Sequence, residues 1–128
     1  MKFGICNEVF EGWSIDDTIR FVAETGYDTI EIAPFTLAQY VTEIPVAERQ
    51  RIREVAADNG IEVSAIHWVL IKTEGLYMTH TDAAIREKTS DYFCKLVDCC
   101  ADLGGKAIVV GSPKLRNLLP GVSFEQAW

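Results

Sequence analysis

The chain has 128 residues, of which 48% are hydrophobic and 24% charged, and its formal net charge is −7. These values indicate one soluble globular domain with a sizeable core, since the chain is too short for two ordinary domains. The acidic balance and the scattered basic residues exclude a nucleic-acid-binding surface, which needs clustered positive charge. No apolar run is long enough for a membrane span, and the first residues lack the apolar stretch of a signal peptide. We therefore expect a cytoplasmic protein with no nucleic-acid or membrane partner.

Strand and helix signals alternate along the chain. Ser14 is a suitable N-cap for a first helix, which Gly26 ends, and Asn59-Gly60 and Gly104-Gly105 close the second and third helices in the same way. The predicted elements, in chain order, are a strand at 2–6, a helix at 15–25, a strand at 29–32, a helix at 45–59, a strand at 61–68, a helix at 82–103, a strand at 106–112 and a helix from 124 to Trp128.

This order predicts an α/β fold in which parallel β-strands alternate with helices. In such folds ligands bind at the carboxyl ends of the strands. The predicted strands end in polar or aromatic groups, which makes that edge the predicted site. The candidate substrate-binding residues are Glu31, His67, Trp68, Ser112, Glu8 and Lys114.

Each candidate also has a structural interpretation. Glu31 could be a solvated or salt-bridged strand-end glutamate, His67 a core histidine bonded to a backbone carbonyl, and Glu8 a loop cap. His80, the second histidine, is expected in the loop before the third helix. The four cysteines form no C-x-x-C pair, and three fall in a helical pattern, so we expect reduced thiols that pack as small apolar groups.

The segment "GSPKLRN" (111–117) follows the fourth predicted strand. Its hydroxyl and cationic groups, Ser112, Lys114 and Arg116, could together hold a phosphate or carboxylate. The segment is not a P-loop, and the chain has no G-x-G-x-x-G motif. A solvated loop is the alternative.

Three stretches together resemble the xylose isomerase-like TIM-barrel superfamily of sugar isomerases, epimerases and endonuclease IV-type enzymes. They are "FGICNEVFEGWSIDDTIRFVAETGYDTIEIAP" (3–34), "IREVAADNGIEVSAIHW" (52–68) and "CADLGGKAIVVGSP" (100–113). The sugar phosphate isomerase/epimerase branch is the most similar one. The resemblance implies proton transfer between adjacent carbons of a small carbohydrate or sugar phosphate through an enediolate, with a divalent metal ion (Mn, Mg, Co or Zn) as cofactor.

The resemblance also implies where the metal ligands lie. In the endonuclease branch a histidine at the position of His67 binds zinc, but Gly111-Ser112 replaces the second histidine, so that site and a DNA-repair role are not expected. In the isomerase branch the metal ligands lie on the fifth to eighth strands. We therefore expect no metal ligand in this chain, with His67 as the only candidate, and we expect the catalytic acid and base to lie outside it.

A complete (β/α)₈ barrel needs about 200 residues or more, so residues 1–128 are expected to form a single (β/α)₄ domain, the N-terminal half of a barrel. We expect the chain to be truncated or completed by a partner, and to show little turnover alone. The alternative is a non-catalytic α/β binding or assembly module that forms a homodimer through exposed sheet edges. A small flavodoxin-like domain is a third, weaker interpretation.

Overall fold

The computed structural model of the chain describes residues 1–127, so Trp128, the end of the last predicted helix, lies outside the described residues. Strands and α-helices alternate as predicted. They are β1 (Gly4–Cys6), α1 (Ile15–Glu24), β2 (Thr29–Ile32), α2 (Val46–Asp58), β3 (Glu62–Ile66), α3 (Ala83–Asp102), β4 (Ala107–Ile108) and α4 (Phe124–Ala127). Short 3₁₀ helices occupy Asn7–Val9, Pro34–Thr36, Val41–Glu43 and Pro113–Leu115. None of the helices in residues 1–127 is long and apolar enough to cross a membrane.

The helix boundaries follow local capping chemistry. The Ser14 hydroxyl accepts a hydrogen bond from the Asp17 N–H at 3.1 Å and so caps α1. The Asp82 carboxylate accepts one from the Ala84 N–H at 2.9 Å and caps α3. Gly26 follows α1 with a φ of +88°, a conformation that glycine adopts without strain. The predicted starts of both helices are therefore confirmed within one residue.

The four strands form one parallel sheet in the sequential order β1-β2-β3-β4. In a flavodoxin-like sheet β1 lies between β2 and β3. The direct pairing of β2 with β3 rules out that interpretation. The isoleucines Ile30, Ile32 and Ile66 are fully buried and belong to the main core cluster, together with Ile19 and Val22 of α1.

The fourth strand is shorter than predicted. Hydrogen bonding to β3 covers only Ala107 and Ile108, and Val109 and Val110 are 39% and 43% exposed. Within residues 1–127 β4 has one neighbouring strand, so nothing covers its outer edge. Val97 of α3 is 56% exposed, because the buried stripe of that helix runs through Tyr92, Leu96 and Cys99.

The cysteines are all free thiols, but they do not share one environment. Cys99 and Cys100 lie in the core as expected, and burial raises the pKa of Cys99 to about 11. Cys94 is exposed on α3 and Cys6 is half-buried at the end of β1, so the expectation of an apolar packing role is wrong for Cys94.

Candidate functional site

Side chains from three neighbouring strands meet at the carboxyl edge of the sheet. Cys6 is paired with Glu31, and Glu31 is paired with Ala65. His67 lies two residues after Ala65, and its N–H donates to the Ile32 carbonyl at 3.0 Å, so it continues the strand. Since strand side chains alternate, the side chains of Cys6, Glu31 and His67 share one face. The thiol sulfur, a carboxylate oxygen and an imidazole nitrogen all lie within 4.8 Å of one another.

Glu31 and His67 form a hydrogen-bonded pair. The Nδ1 atom of His67 lies 3.3 Å from Oε2 of Glu31, and the side chains are 31% and 33% exposed. A carboxylate can only accept, so Nδ1 carries the shared hydrogen and Nε2 is left as the second functional atom of the ring. The pair is open enough for a ligand to reach, and the interpretation of His67 as a core histidine bonded to a carbonyl is wrong.

Asn7 holds the ends of β1 and β2 together. Its side-chain oxygen accepts from the Ala33 N–H at 2.7 Å, and its amide donates to the Thr36 hydroxyl at 2.7 Å. The residue is 7% exposed, so both of its polar groups are used inside the protein. Asn7 thereby fixes the distance between the two strand ends that carry Cys6 and Glu31.

Burial affects the chemistry of the thiol at this edge. It raises the pKa of Cys6, and the carboxylates of Glu8 and Glu31 act in the same direction. The free thiol is therefore protonated at neutral pH.

Trp68 packs on the histidine. The two rings are stacked with centroids 5.6 Å apart and planes 8° from parallel. Trp68 has a φ of +57°, which is unusual for a bulky residue and turns the chain sharply after β3. Its indole N–H is buried and has no hydrogen-bond partner within residues 1–127. A buried donor without an acceptor is costly, so the position of the Trp68 ring is maintained at a free-energy cost.

Two pockets lie beside this cluster. One, of about 520 Å³, is lined by Trp68, Ser112 and Lys114, among others. The Ser112 hydroxyl is 3.3 Å from the Leu70 N–H, from which it accepts a hydrogen bond. The other pocket, of about 540 Å³, contains Glu8 together with the aromatic residues Trp13 and Phe35.

Lys72 lines both pockets and was missed by the sequence analysis. Its ammonium nitrogen lies 4.7 Å from the centroid of the Phe35 ring. The residue has a φ of +63°, so the path of the loop after Trp68 determines its position. Cys6 was missed as well, although its place as the last residue of the first strand, directly before Asn7-Glu8, was a usable signal.

The remaining polar residues of "GSPKLRN" stabilise the loop. The Arg116 guanidinium donates to the Gly111 carbonyl at 2.8 Å. The Asn117 carbonyl accepts from the hydroxyls of Tyr77 and Thr79 at 2.9 and 2.7 Å. His80 lies in the loop before α3, as expected, and its Nδ1 accepts from the Asp82 N–H at 3.0 Å.

The candidates therefore fall into three places. Glu31 and His67 touch each other, Trp68 links them to the pocket that contains Ser112 and Lys114, and Glu8 lines the neighbouring pocket.

Comparison with known proteins identifies the family of this arrangement. The family model described as "Xylose isomerase-like TIM barrel" matches residues 19–128. A search of curated proteins gives no significant match. A solved D-psicose 3-epimerase, crystallised in the presence of D-fructose, is 28% identical with a TM-score of 0.68, and the match covers 84% of this chain and 36% of the epimerase.

Two further solved structures share the fold. The D-psicose 3-epimerase of Clostridium cellulolyticum H10, solved with D-tagatose, is 22% identical with a TM-score of 0.67, over 84% of this chain and 36% of that one. A probable 3-DHS dehydratase from Bacillus anthracis is 21% identical with a TM-score of 0.56, over 84% and 37%. The chain thus spans about a third of the length of these structures, and its four parallel strands alternating with helices correspond to half of such a barrel. It belongs to the xylose isomerase-like TIM-barrel family.

Proposed function

We propose that the chain supplies one part of the active site of a metal-dependent sugar or sugar-phosphate isomerase/epimerase. The observation that carries this proposal is the hydrogen-bonded Glu31–His67 pair at the carboxyl edge of the sheet, stacked on Trp68. Membership of the xylose isomerase-like family and the likeness to a D-psicose 3-epimerase at 28% identity support it.

The proposal assigns the rest of the site to sequence outside residues 1–128, or to a partner. These residues then form a single domain that is the N-terminal half of a (β/α)₈ barrel. The catalytic acid and base and the metal-binding carboxylates come from the other half. When bound there, the metal ion polarises the carbonyl and hydroxyl oxygens of the sugar.

Within this chain, the three central residues bind and orient the substrate. Glu31 accepts from Nδ1–H of His67 and so leaves Nε2 free to accept a hydrogen bond from a sugar hydroxyl. The Trp68 ring lines the adjoining pocket and can provide an apolar wall for the sugar. Glu8, in the adjacent pocket, is placed to accept from a further hydroxyl.

The proposal extends to a phosphate ester, which the cations of the second, mostly apolar pocket would attract. Lys114 and Lys72 line the pocket next to Trp68, together with the Ser112 hydroxyl. Neither lysine has a carboxylate within salt-bridge distance in the described part of the chain. Two uncompensated cations and a hydroxyl are suited to a phosphate group, whose charged oxygens accept strong hydrogen bonds.

The test uses the protein expressed from the complete open reading frame, assayed for isomerisation and epimerisation of ketoses, aldoses and their phosphates with added Mn²⁺, Mg²⁺ or Co²⁺. His67→Gln and Glu31→Gln should each lower kcat/KM by about 10- to 100-fold, since each removes a charge-assisted or orienting hydrogen bond worth roughly 1.5–3 kcal/mol. His80→Gln is the matched control and should leave kcat/KM unchanged. No turnover of any of these substrates, or full activity in both variants, would refute the proposal.

A second candidate function is the non-catalytic assembly module. Three exposed valines favour it: Val97 lines a groove beside β4, and Val109 and Val110 directly follow that strand, which is an edge of the sheet. Light scattering of the purified chain tests it, because self-association raises the measured mass with concentration.

A further inference from the structure

Three chemically different donors from adjacent strands converge at the carboxyl edge of the sheet. The thiol of Cys6, the carboxylate of Glu31 and the imidazole of His67 each offer one atom, and these atoms lie within 4.8 Å of one another. We propose that they form a binding site for a borderline-soft divalent metal ion, Zn²⁺ or Co²⁺. From the sequence, His67 was the single candidate metal ligand in this chain. Cys6 and Glu31 are therefore new assignments.

The donor set selects the metal. A thiolate and an imidazole favour zinc-like ions, whereas magnesium and calcium require oxygen ligands. Three protein ligands leave a fourth tetrahedral position for water or a substrate oxygen, which is the arrangement of reactive rather than structural zinc sites. Binding breaks the S–H bond of Cys6, forms a metal–sulfur bond and releases the proton to solvent, with no change of oxidation state.

The geometry is close to that of a formed site. Metal–ligand distances of about 2.0–2.3 Å place tetrahedral donors roughly 3.5 Å apart. The candidate ligand atoms, at most 4.8 Å apart, therefore have to approach one another by about 1 Å. Rotation of the Cys6 and Glu31 side chains can supply this movement. The imidazole is held in place by stacking on Trp68, and the strand register fixes the backbones of Cys6 and Glu31 side by side.

Partial exposure gives an ion access to the site. The side chains of His67 and Glu31 are 31% and 33% exposed, and Cys6 is half-buried. The other thiols do not compete in the same way, because Cys99 and Cys100 are buried in the core and Cys94 lies on the surface of α3. The proposed metal site shares Glu31 and His67 with the proposed substrate-binding site, but metal binding can be measured without isomerase turnover.

Titration of the chelator-treated, purified chain with Co²⁺ tests the proposal. A bound thiolate produces a sulfur-to-cobalt charge-transfer absorption, which should saturate at one ion per chain and disappear on addition of Zn²⁺. X-ray absorption of the wild-type zinc complex should detect one sulfur ligand together with nitrogen and oxygen ligands. This measurement requires no variant, so it remains decisive if a variant fails to fold.

The variants locate the ligands. Cys6→Ser should abolish the charge-transfer band, and His67→Gln should weaken Co²⁺ binding by at least about 100-fold, since loss of even an outer partner of a ligand costs 10–100-fold. Cys94→Ser and His80→Gln are the matched controls and should bind as the wild type does. A missing band, a zinc complex without sulfur, or a band that persists in Cys6→Ser overturns the proposal. Isomerase activity with no metal at Cys6 would leave the proposed function standing and remove this site alone.

Discussion

At the scale of single residues, Lys72 is a cation shared by the two pockets beside the strand ends. It lines both pockets, and its ammonium group rests on the Phe35 ring instead of on a carboxylate. A lysine placed in this way supplies a positive charge that a phosphate can use without first breaking an ion pair. A free sugar has no anionic group and gains little from it.

This difference leads to a prediction about substrate choice. In the complete protein, Lys72→Met should raise KM for a ketose phosphate by about 10- to 100-fold, because a hydrogen bond to a charged group is worth roughly 1.5–3 kcal/mol. KM for the free ketose should change little. Lys95→Met, on the outer surface of α3, is the control for loss of one positive charge. An equal rise in KM for both sugars would mean that Lys72 supports the loop and does not bind phosphate.

The predictability of individual residues depended on how far each lies from a strand. Glu31 and His67 were predictable because strand ends in a parallel sheet converge at one edge. Cys6 was not identified although it also ends a strand, and its proximity to Glu31 and His67 became evident only from the pairing of β1 with β2. Lys72 could not be predicted, since its position follows from two positive-φ residues in one loop, Trp68 and Lys72 itself.

At the scale of elements, the helix limits and the limits of β2 were predictable, and the limits of β1, β3 and β4 were not. Capping by Ser14 and Asp82 is local in sequence, so the starts of α1 and α3 can be read from the residues. The length of β4 depends on its pairing with β3, which ends after Ile108 although the apolar run continues through Val110. The sequential strand order was available only from the family resemblance.

The packing of α1 on α2 is reinforced by a surface ion network. The guanidinium of Arg51 in α2 contacts both carboxylate oxygens of Asp16 in α1 at 2.9 Å and those of Glu48 at 2.8 Å. The three side chains are between 34% and 41% exposed, so water screens the network. The hydrogen bond from Arg51 lowers the pKa of Glu48, and the same bond raises the pKa of Arg51.

We predict that Arg51→Met lowers the free energy of unfolding at pH 7 by about 0.5–1 kcal/mol, the usual range for an exposed network. Because the folded pKa of Glu48 is depressed, its contribution is complete above the unfolded value of about 4.3 and is lost as the pH falls through the folded value. The difference in the free energy of unfolding between wild type and variant should therefore persist at pH 7 and 5 and shrink below about pH 4.3. Urea unfolding at several pH values measures this gap.

Arg20→Met is the control for this experiment. Arg20 pairs with Asp17 within α1, so it links no two helices, and its loss should cost only about 0.3 kcal/mol. A gap for Arg51→Met that widens in acid would contradict the assigned role of Glu48.

At the scale of the whole molecule, β1 and β4 are the edge strands of the sheet in residues 1–127, and an apolar groove lies beside β4. The groove between α3 and β4 is lined by Val97, Ile108 and small residues, with Lys106 as the one charged group among its lining residues. Val109 and Val110, which directly follow β4, are also exposed. In the solved relatives, the chain corresponds to about a third of the protein, so a complete barrel has further strands to pair with β4.

We therefore predict that the 128-residue chain, purified alone, associates with itself through β4 and the adjoining groove. An unpaired parallel strand exposes N–H and C=O groups, and burial of the valines adds roughly 25 cal/mol per Å² of apolar surface removed from water. Light scattering at increasing concentration should show a mass that rises from that of one chain towards that of two. Val97→Glu and Val110→Lys should each shift this transition to higher concentration, because a buried charge opposes association.

Val46→Glu provides the matched control, since Val46 is 51% exposed at the start of α2, outside the groove, and should leave the transition unchanged. A constant mass of one chain at all concentrations would show that a second copy does not complete the sheet, and would leave further sequence of the same protein as the source of the missing strands.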